Sequence, residues 1–152
     1  MTQKLTPCLW MKDQAEEAAL YYATLFGSAA PRINRMPDGS VLLAKVDIFG
    51  TEFLLLNGNT QYQPNESASF SIDCKDQAEV DKYWNAFVGD GGQENMCGWC
   101  KDRFGISWQV IPVALPRAME GSDRAGAGRA MQAMMKMRKI IVADIEAAYA
   151  GK

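Results

Sequence analysis

Four cysteines are the side chains of this sequence best suited to redox or metal chemistry. Two of them, Cys97 and Cys100, have the C-x-x-C spacing of redox motifs and of half a zinc site. A redox motif of this kind lies at a helix N-terminus, which lowers the pKa of the thiol, whereas the following residues 101–105 are typical of a turn between strands. Cys8 and Cys74 have no paired spacing that would complete a four-thiolate site. We therefore expect inert free thiols, with redox pairing and metal binding as alternatives.

The sequence has no histidine, which removes the most common catalytic and metal-binding side chain. This excludes a Ser-His-Asp triad, a Cys-His dyad and the HExxH zinc motif. A nucleophilic Cys8 would need a neighbouring lysine or a helix N-terminus to activate it. Asp102 and Glu94 could act as a general acid or base, although a turn carboxylate beside Lys101 and Arg103 is more often in a solvated ion pair.

The composition indicates one ordinary globular domain, with 152 residues of which 48% are apolar and 22% charged. The 16 basic and 18 acidic residues provide no electrostatic footprint for nucleic acid. The apolar segment 7–11 is too short for the core of a signal peptide, and charged residues interrupt the segment 41–56, which therefore cannot span a bilayer as a helix. We expect a cytoplasmic protein that binds neither nucleic acid nor membrane.

One five-residue segment occurs twice and indicates an internal duplication. Residues 12–16, Lys-Asp-Gln-Ala-Glu, recur unchanged as residues 75–79. In both copies a predicted strand precedes the segment, the aspartate begins a predicted helix, and three short extended segments follow. Each half therefore has the order β-α-β-β-β, with modules at about residues 4–60 and 67–113.

The predicted elements of the two modules correspond one to one. In the first module the strands are expected at 6–11, 30–36, 41–49 and 52–57. In the second they are expected at 69–74, 93–96, 98–102 and 106–112. The helices are predicted to end near Gly27 and near residues 89–91, and Gly105 takes the place that Gly50 has in the first module.

Several segments of the sequence resemble one known superfamily. They are Thr6-Pro7-Cys8-Leu9-Trp10, Leu55-Leu56-Asn57-Gly58, Cys97-Gly98-Trp99, residues 101–109, Ile111-Pro112 and the methionine-rich residues 131–137. With the duplicated βαβββ order, they are similar to the vicinal oxygen chelate superfamily, which includes glyoxalases, extradiol dioxygenases and antibiotic-resistance proteins. Within it they most resemble the PhnB-like group, labelled demethylubiquinone 3-methyltransferase-like. The resemblance implies an α+β, glyoxalase-like fold in which both modules form a curved mixed sheet.

The resemblance also implies where a divalent metal would bind. The positions that correspond to the superfamily's metal ligands are Thr6, Ser69, Gln109 and, approximately, Leu54. These neutral oxygens and one hydrocarbon are too weak a set to hold iron, nickel or zinc. We therefore expect no metal and no cofactor, and an enzyme of this kind would be metal-independent. The methyltransferase label has no support from a nucleoside-binding motif, since no glycine-rich loop opens a helix after a strand.

Alternation along the predicted strands separates a polar face from an apolar one. The candidate ligand-binding residues, to which the resemblance adds Leu54, are Thr6, Cys8, Trp10, Leu54, Ser69, Ser71, Ser107 and Gln109. The opposite face is expected to pack under the helices and carries Leu5, Leu9, Met11, Phe70, Ile72, Trp108 and Val110. Hydroxyls and an amide around an aromatic ring are typical of a small-molecule pocket. The alternative is that these polar groups only satisfy one another or water.

The C-terminal residues 122–152 lie outside the duplicated domain, residues 1–121, and are predicted to form a helical hairpin. Their apolar side chains recur at helical spacing and cannot all be covered by a hairpin alone: Met131, Met134, Met135, Ile141, Ile145 and Tyr149. The resemblance implies a twofold homodimer in which this tail reaches across to the partner. The alternative is a tail that packs on its own domain.

Two functions agree with these observations. The first is a metal-independent enzyme or sequestering protein that binds a small polar or aromatic metabolite in a sheet cavity. The second is a non-catalytic structural or interaction homodimer whose pocket is vestigial. Neither the ligand nor a reaction is indicated by the residues.

Overall fold

The computed structural model describes residues 3–58 and 61–152, and its elements follow the predicted duplicated order. The first module consists of β1 (Cys8–Met11), α1 (Ala15–Phe26), β2 (Arg32–Arg35), β3 (Val41–Ile48) and β4 (Thr51–Asn57). The second module consists of β5 (Ser69–Cys74), α2 (Gln77–Gly89), β6 (Gln93–Glu94), β7 (Trp99–Lys101) and β8 (Ser107–Pro112). Three helices follow, α3 (Ala114–Glu120), α4 (Arg124–Met134) and α5 (Val142–Ala150).

The strands form one four-stranded mixed sheet in each module. The strand orders are β1-β4-β3-β2 and β5-β8-β7-β6. In each sheet one neighbouring pair is parallel, β1 with β4 and β5 with β8. The remaining neighbours are antiparallel. The chain divides into two compact units, residues 1–64 and 65–152. The α+β, glyoxalase-like fold class is confirmed; the predicted domain start at residue 1 and module end near residue 60 lie outside the described residues.

The turns before the last strands confirm that Gly50 and Gly105 correspond. Both glycines have a positive φ, 83° and 84°. This left-handed conformation is open to glycine at little cost and lets the chain reverse directly into β4 and β8. The two modules therefore share a left-handed glycine before the last strand, although the first connection has two residues, with Phe49 also at positive φ, and the second has five.

The two copies of the repeated segment begin their helices one residue apart, so the prediction that Asp13 begins α1 is wrong. The amide of Ala15, the first residue of α1, donates to Asn57 Oδ1 at 2.9 Å. Asp76 is the N-cap of α2, as predicted, and its carboxylate accepts from the amide of Glu79 at 3.0 Å. Asn57, at the end of β4, thus supplies to α1 the acceptor that the aspartate supplies to α2.

The first sheet packs one face against α1. The helix presents small residues to the sheet, and the buried set is Ala15, Ala18, Ala19, Tyr22 and Ala23. Facing strands contribute Ala44, Val46, Ile48, Phe53 and Leu55, all buried. Alanine side chains allow the helix axis to lie close to the sheet, which buries apolar area without steric conflict.

The second sheet packs its apolar face against α2 through a stacked aromatic pair. The ring of Trp108 lies on that of Phe87, with centroids 4.9 Å apart and planes 13° from parallel. Trp108 is 1% exposed, and its indole Nε1 donates to Asp102 Oδ2 at 2.9 Å. The Asp102 carboxylate is also buried and accepts from the amides of Phe104 and Ile106. The expectation of a solvated ion pair at Asp102 is therefore wrong, because the turn folds over this carboxylate.

Four residues of the predicted apolar face are buried in strands, and Leu9 and Phe70 are half-buried. Met11, Ile72 and Val110 are buried like Trp108. Leu5 is 83% exposed, and that part of the prediction is wrong. The reason is that β1 begins only at Cys8, so the alternation of a strand does not extend back to residue 5.

The C-terminal segment forms the predicted hairpin of α4 and α5, together with the additional helix α3. Its core consists of Leu115, Ala130, Ile140 and Ile145, against which Met134 and Tyr149 pack. Met131, Met135 and Ile141 stay exposed. No helix in the described part of the chain is long and apolar enough to cross a membrane.

Backbone and side-chain hydrogen bonds hold this tail on its own module. The amides of Cys97 and Gly98 donate to the carbonyls of Met137 and Arg138, both at 2.8 Å. The side chain of Gln77 in α2 donates to the Ile140 carbonyl and accepts from the amide of Val142, at 3.1 and 2.8 Å. Within one chain the tail therefore packs on the second module, and the homodimer stays a prediction.

Candidate functional site

The side of the second sheet that faces away from α2 carries small polar side chains. Ser69 of β5 lies opposite Ser107 of β8, and Ser71 lies opposite Gln109. Residues directly opposite one another project to the same face, so the four side chains form one contiguous surface. All four were among the candidate residues from the sequence. We call this surface the polar face. Two residues of β7, described below, also belong to it.

Hydrogen bonding within the polar face is incomplete. The amide Nε2 of Gln109 donates to Ser69 Oγ at 2.9 Å, which fixes the orientation of both groups. Ser107 is 2% exposed, and its Oγ has no hydrogen-bond partner in the described part of the chain. A buried hydroxyl without a partner destabilises a folded protein by about 1–3 kcal/mol. The Ser107 hydroxyl is therefore a donor and acceptor that no described group of the protein uses.

The strand β7 contributes two side chains that the sequence prediction missed. Trp99 lies opposite Gln109, and Lys101 lies opposite Ser107. The buried Cys100 between them alternates to the other face. The predicted strand 98–102 already contains both residues, but the candidate residues come only from the first and last strands of each module. The polar face thus consists of Ser69, Ser71, Trp99, Lys101, Ser107 and Gln109.

An ion pair neutralises the cation of this face. The ammonium Nζ of Lys101 lies 2.6 Å from Glu66 Oε1, in the segment just before β5. The Lys101 side chain is 28% exposed and that of Glu66 50%. The hydrogen bond from Lys101 lowers the pKa of the Glu66 carboxyl below its usual value. At neutral pH the lysine is therefore paired with a carboxylate of the protein.

The corresponding face of the first sheet is apolar along β1 and the adjoining part of β4, whereas Lys45, Asp47 and Glu52 add charges to it. Cys8 lies opposite Leu54, and Trp10 lies opposite Leu56. Both leucines are half-buried, whereas Cys8 and Trp10 are exposed. The register confirms that Leu54 has the place in this module that Gln109 has in the second. The duplication therefore preserved the fold of the two sheets but not the chemistry of this face.

Two of the candidate residues in the first module contact neighbours outside the strands. Thr6 precedes β1, and its Oγ1 lies 3.4 Å from Gln3 Nε2. The indole of Trp10 lies on Gly58, where a Cβ atom would come within 1.9 Å of Nε1, and its ring centroid is 5.8 Å from that of Tyr62. Glycine at residue 58 thus permits this position of the indole.

The donor set at the superfamily's metal positions does not fit a divalent transition metal. Ser69 and Gln109 are hydrogen-bonded to each other, Leu54 offers no donor atom, and Thr6 offers a neutral hydroxyl. In residues 3–58 and 61–152, no three His, Cys, Asp or Glu side chains lie close enough to hold a metal ion. Gly126 lies in the first turn of α4, so the Gly126-Ala127-Gly128 segment is helical and forms no phosphate-binding loop.

All four cysteines are free thiols, and Cys74 and Cys100 are buried, whereas Cys8 is exposed and Cys97 half-buried. Burial, followed by the charges of Asp102 and Glu94, raises the pKa of Cys100 to about 12. Burial, followed by nearby carboxylates, raises the pKa of Cys74 to about 12 as well. Both stay protonated at neutral pH, which disfavours metal binding and nucleophilic attack. The C-x-x-C segment leads into β7 rather than a helix, as predicted.

Two further features of the described residues are weaker candidates. The carboxylate of Glu94 accepts from Trp84 Nε1 at 3.3 Å and from Arg138 at 3.2 Å, which indicates a structural role. In the first module a depression of about 400 Å³ is lined by Lys12, Asp13, Glu16, Ser40, Val41, Asn57 and Gly58. Its lining mixes opposite charges around open backbone, and none of the candidate residues contributes to it. The depression therefore lies outside the polar face, which holds the buried hydroxyl of Ser107.

Comparison with known proteins identifies relatives of both modules. The family model described as 3-demethylubiquinone-9 3-methyltransferase matches residues 3–111, which include all of the eight strands except the last residue of β8. A solved PhnB protein from Bacillus cereus with the same description is 26% identical, with a TM-score of 0.63, over 73% of this chain and 100% of that chain. No curated protein sequence matches the chain.

Two more distant structures share the fold alone. The protein PA1353 from Pseudomonas aeruginosa is 19% identical, with a TM-score of 0.59, over 73% of this chain and 98% of that chain. A variant of the fosfomycin resistance protein FosX from Listeria monocytogenes, solved with Mn(II) and 1S,2S-dihydroxypropylphosphonic acid, is 15% identical, with a TM-score of 0.53. That match covers 71% of this chain and 90% of that chain.

Proposed function

The chain belongs to the PhnB-like 3-demethylubiquinone-9 3-methyltransferase family, and from that premise we propose that it binds a small polar or aromatic metabolite on its polar face without a divalent metal. Its glyoxalase-like fold is that of the vicinal oxygen chelate superfamily. The family's name refers to a methyl transfer. A nucleoside methyl donor would need glycines in a loop, whereas Gly126 and Gly128 lie in α4. Binding of the metabolite is therefore proposed, and no methyl transfer.

The observation that carries this proposal is the buried hydroxyl of Ser107. It lies beside the Gln109–Ser69 hydrogen bond and has no partner of its own among the described residues. On a sheet face exposed only to solvent, the hydroxyls would be hydrated. A face that only packs against other elements would carry apolar side chains instead of hydroxyls. A ligand with its own donors and acceptors satisfies Ser107 and is oriented by the amide of Gln109.

Metal-independence is supported by the ligand positions rather than by an empty site. A superfamily metal would have to be held by Thr6, Ser69, Gln109 and Leu54, and three neutral oxygens hold a transition metal weakly. Hydrogen bonding from the polar face and stacking on Trp99 then carry the binding. A reaction, where one occurs, is metal-independent in this proposal.

The test is a thermal-shift and NMR screen of small polar and aromatic compounds in the presence of EDTA. Hits that bind the wild type should bind Gln109→Leu at least about tenfold more weakly, since the variant loses an orienting amide. The matched control is Gln132→Leu, the same change at an exposed position of α4, which should bind as the wild type does. Hits that require added metal, or that ignore Gln109→Leu, would contradict the proposal.

A non-catalytic homodimer is the second candidate, and the first sheet favours it. Its face away from α1 combines the half-buried Leu54 and Leu56 with the exposed ring of Trp10, which is typical of a protein contact surface. Light scattering combined with the same screen separates the two candidates. A dimer that binds no compound would favour the second function, and specific binding at the polar face favours the first.

A further inference from the structure

We propose that the ligand of the polar face carries a carboxylate, which takes the place of Glu66 on the ammonium group of Lys101 and accepts a hydrogen bond from Ser107. This inference rests on the proposed function and names the chemical class of its ligand. The molecule is a small aromatic or unsaturated carboxylate whose remaining atoms lie along Trp99 and Gln109.

The charge of the polar face selects an anion. Lys101 is the only charged residue among the six that define the face, and it lies directly opposite Ser107. Asp73, a second charge on this side of β5, is four residues from Ser69, roughly 13 Å along the strand. A carboxylate at the Lys101 end therefore meets a cation and is remote from that negative charge.

Glu66 shows what the lysine binds. Its carboxylate lies 2.6 Å from Lys101 Nζ, so the structure already holds an oxyanion at this position. Glu66 lies outside the strands and its side chain is half exposed, and such ion pairs stabilise folded proteins only weakly. A ligand carboxylate that replaces Glu66 keeps the charge pair, and the released glutamate returns to solvent.

Ser107 gives the ligand an interaction that Glu66 does not make. Its Oγ is buried and unpartnered in the described residues, whereas Glu66 already contacts Lys101. Side chains at opposite positions of neighbouring strands lie about 4.5–5.5 Å apart at Cβ, so Lys101 and Ser107 project side by side from the sheet. The hydroxyl donates to one oxygen of the ligand's carboxylate and the ammonium to the other. The half-buried indole of Trp99 offers the adjoining flat surface.

The first module supports the assignment by contrast. In its sheet the place of Lys101 is taken by Asp47, which lies opposite Glu52. Glu52 is ion-paired with Arg32 and Lys45, which leaves Asp47 as the residue whose charge is opposite to that of Lys101. The duplication thus supplies an internal comparison in which the same fold has opposite charge at the same position.

The experiment compares benzoate with its neutral analogue benzamide by isothermal titration at low ionic strength with EDTA. In the wild type, benzoate should bind at least about tenfold more tightly than benzamide, since hydrogen bonds to charged groups are the stronger ones. Lys101→Met should abolish this difference, and Lys101→Arg should retain it. Glu66→Gln should bind benzoate severalfold more tightly than the wild type, with benzamide unchanged, because the competing carboxylate is gone.

The matched control is Asp81→Asn, which breaks the ion pair of Lys139 in the same module and should leave both affinities unchanged. Equal binding of benzoate and benzamide, with both weakened by Gln109→Leu, would overturn the carboxylate assignment and leave the proposed function intact. Tighter binding of phenylphosphonate than of benzoate would also overturn it. Absence of all binding at millimolar concentrations would contradict both proposals.

Discussion

Trp108 and Gln109 are neighbours in β8 that serve opposite sides of one sheet. Trp108 stacks on Phe87 in the core, and Gln109 donates to Ser69 on the polar face. Alternation in the sequence predicted this division, and the measured burial of Trp108 confirms its core position. Lys101 is absent from the candidate residues because these come only from the first and last strands of each module, although the predicted strand 98–102 contains it. The observed β7 has only three residues, a length over which alternation is hard to recognise.

Trp108→Ala should lower the free energy of unfolding by roughly 3–5 kcal/mol, because it leaves a cavity against Phe87 and removes a donor from the buried Asp102. Urea unfolding followed by circular dichroism measures the change. Gln109→Leu is the control, and we expect its effect on stability to be much smaller. If Gln109→Leu destabilised the fold more than Trp108→Ala, the assignment of the two faces would be reversed.

Divalent metals should leave the midpoint of thermal unfolding nearly unchanged. Thr6, Ser69 and Gln109 supply only neutral oxygens, and a metal that bound the folded state would raise the midpoint by mass action. Scanning calorimetry with nickel, zinc, manganese or iron(II) in moderate excess provides the measurement. A rise that disappears in Gln109→Leu would show that the inherited site binds metal, and one that disappears only in Cys97→Ser with Cys100→Ser would indicate a thiolate site.

At the scale of elements, the repeated pentapeptide shows how tertiary context changes a local signal. The same five residues precede α1 and α2, yet only Asp76 caps its helix. The first copy meets the side chain of Asn57, a long-range partner that no local pattern contains. Sequence reasoning therefore predicted both helices but placed the start of α1 incorrectly.

Asp76→Ala should cost about 1 kcal/mol of stability, because the amide of Glu79 loses its acceptor at the helix N-terminus. Asp13→Ala should cost much less, because Asp13 lies before the N-cap residue of α1. Chemical denaturation of the two variants tests the difference within one protein. Equal losses would show that Asp13 stabilises α1 despite its position.

The helix α3 is the element that sequence reasoning missed. Pro116 lies in its first turn, where a missing N–H is tolerated, and its seven residues are too few for a clear periodic pattern. Leu115 is nevertheless buried in the core that α4 and α5 complete. The methionines predict the hairpin, but the surface that covers it is visible only in the structure.

At the scale of the whole molecule, the tail belongs to the same compact unit as the second module. The amides of Cys97 and Gly98 and the side chain of Gln77 hold it there. The prediction that the tail needs a larger surface agrees with this packing. The spacing of apolar residues does not indicate whether a partner chain contacts the tail. Met131 and Met135 remain exposed, while Ile145 is buried, although all three follow that spacing.

We predict a homodimer that does not depend on these exposed methionines, because the tail is bound to its own module. Light scattering of the wild type and of Met135→Glu should give the same dimeric mass. Gln132→Glu, an exposed neighbour on α4, is the matched control. A monomeric Met135→Glu beside a dimeric control would place the tail in the interface, and a monomeric wild type would refute the dimer itself.

The central claim is that the polar face binds a small molecule without metal, and amide chemical-shift mapping of the 16.8 kDa chain tests it most directly. Titration of ¹⁵N-labelled protein with benzoate in EDTA should shift the amides around Ser69, Lys101 and Gln109 in a saturable manner. Glu66→Gln should reach saturation at a lower benzoate concentration. Saturable shifts confined to the first-module depression around Lys12 and Ser40, or shifts that appear only after a divalent metal is added, would contradict the account.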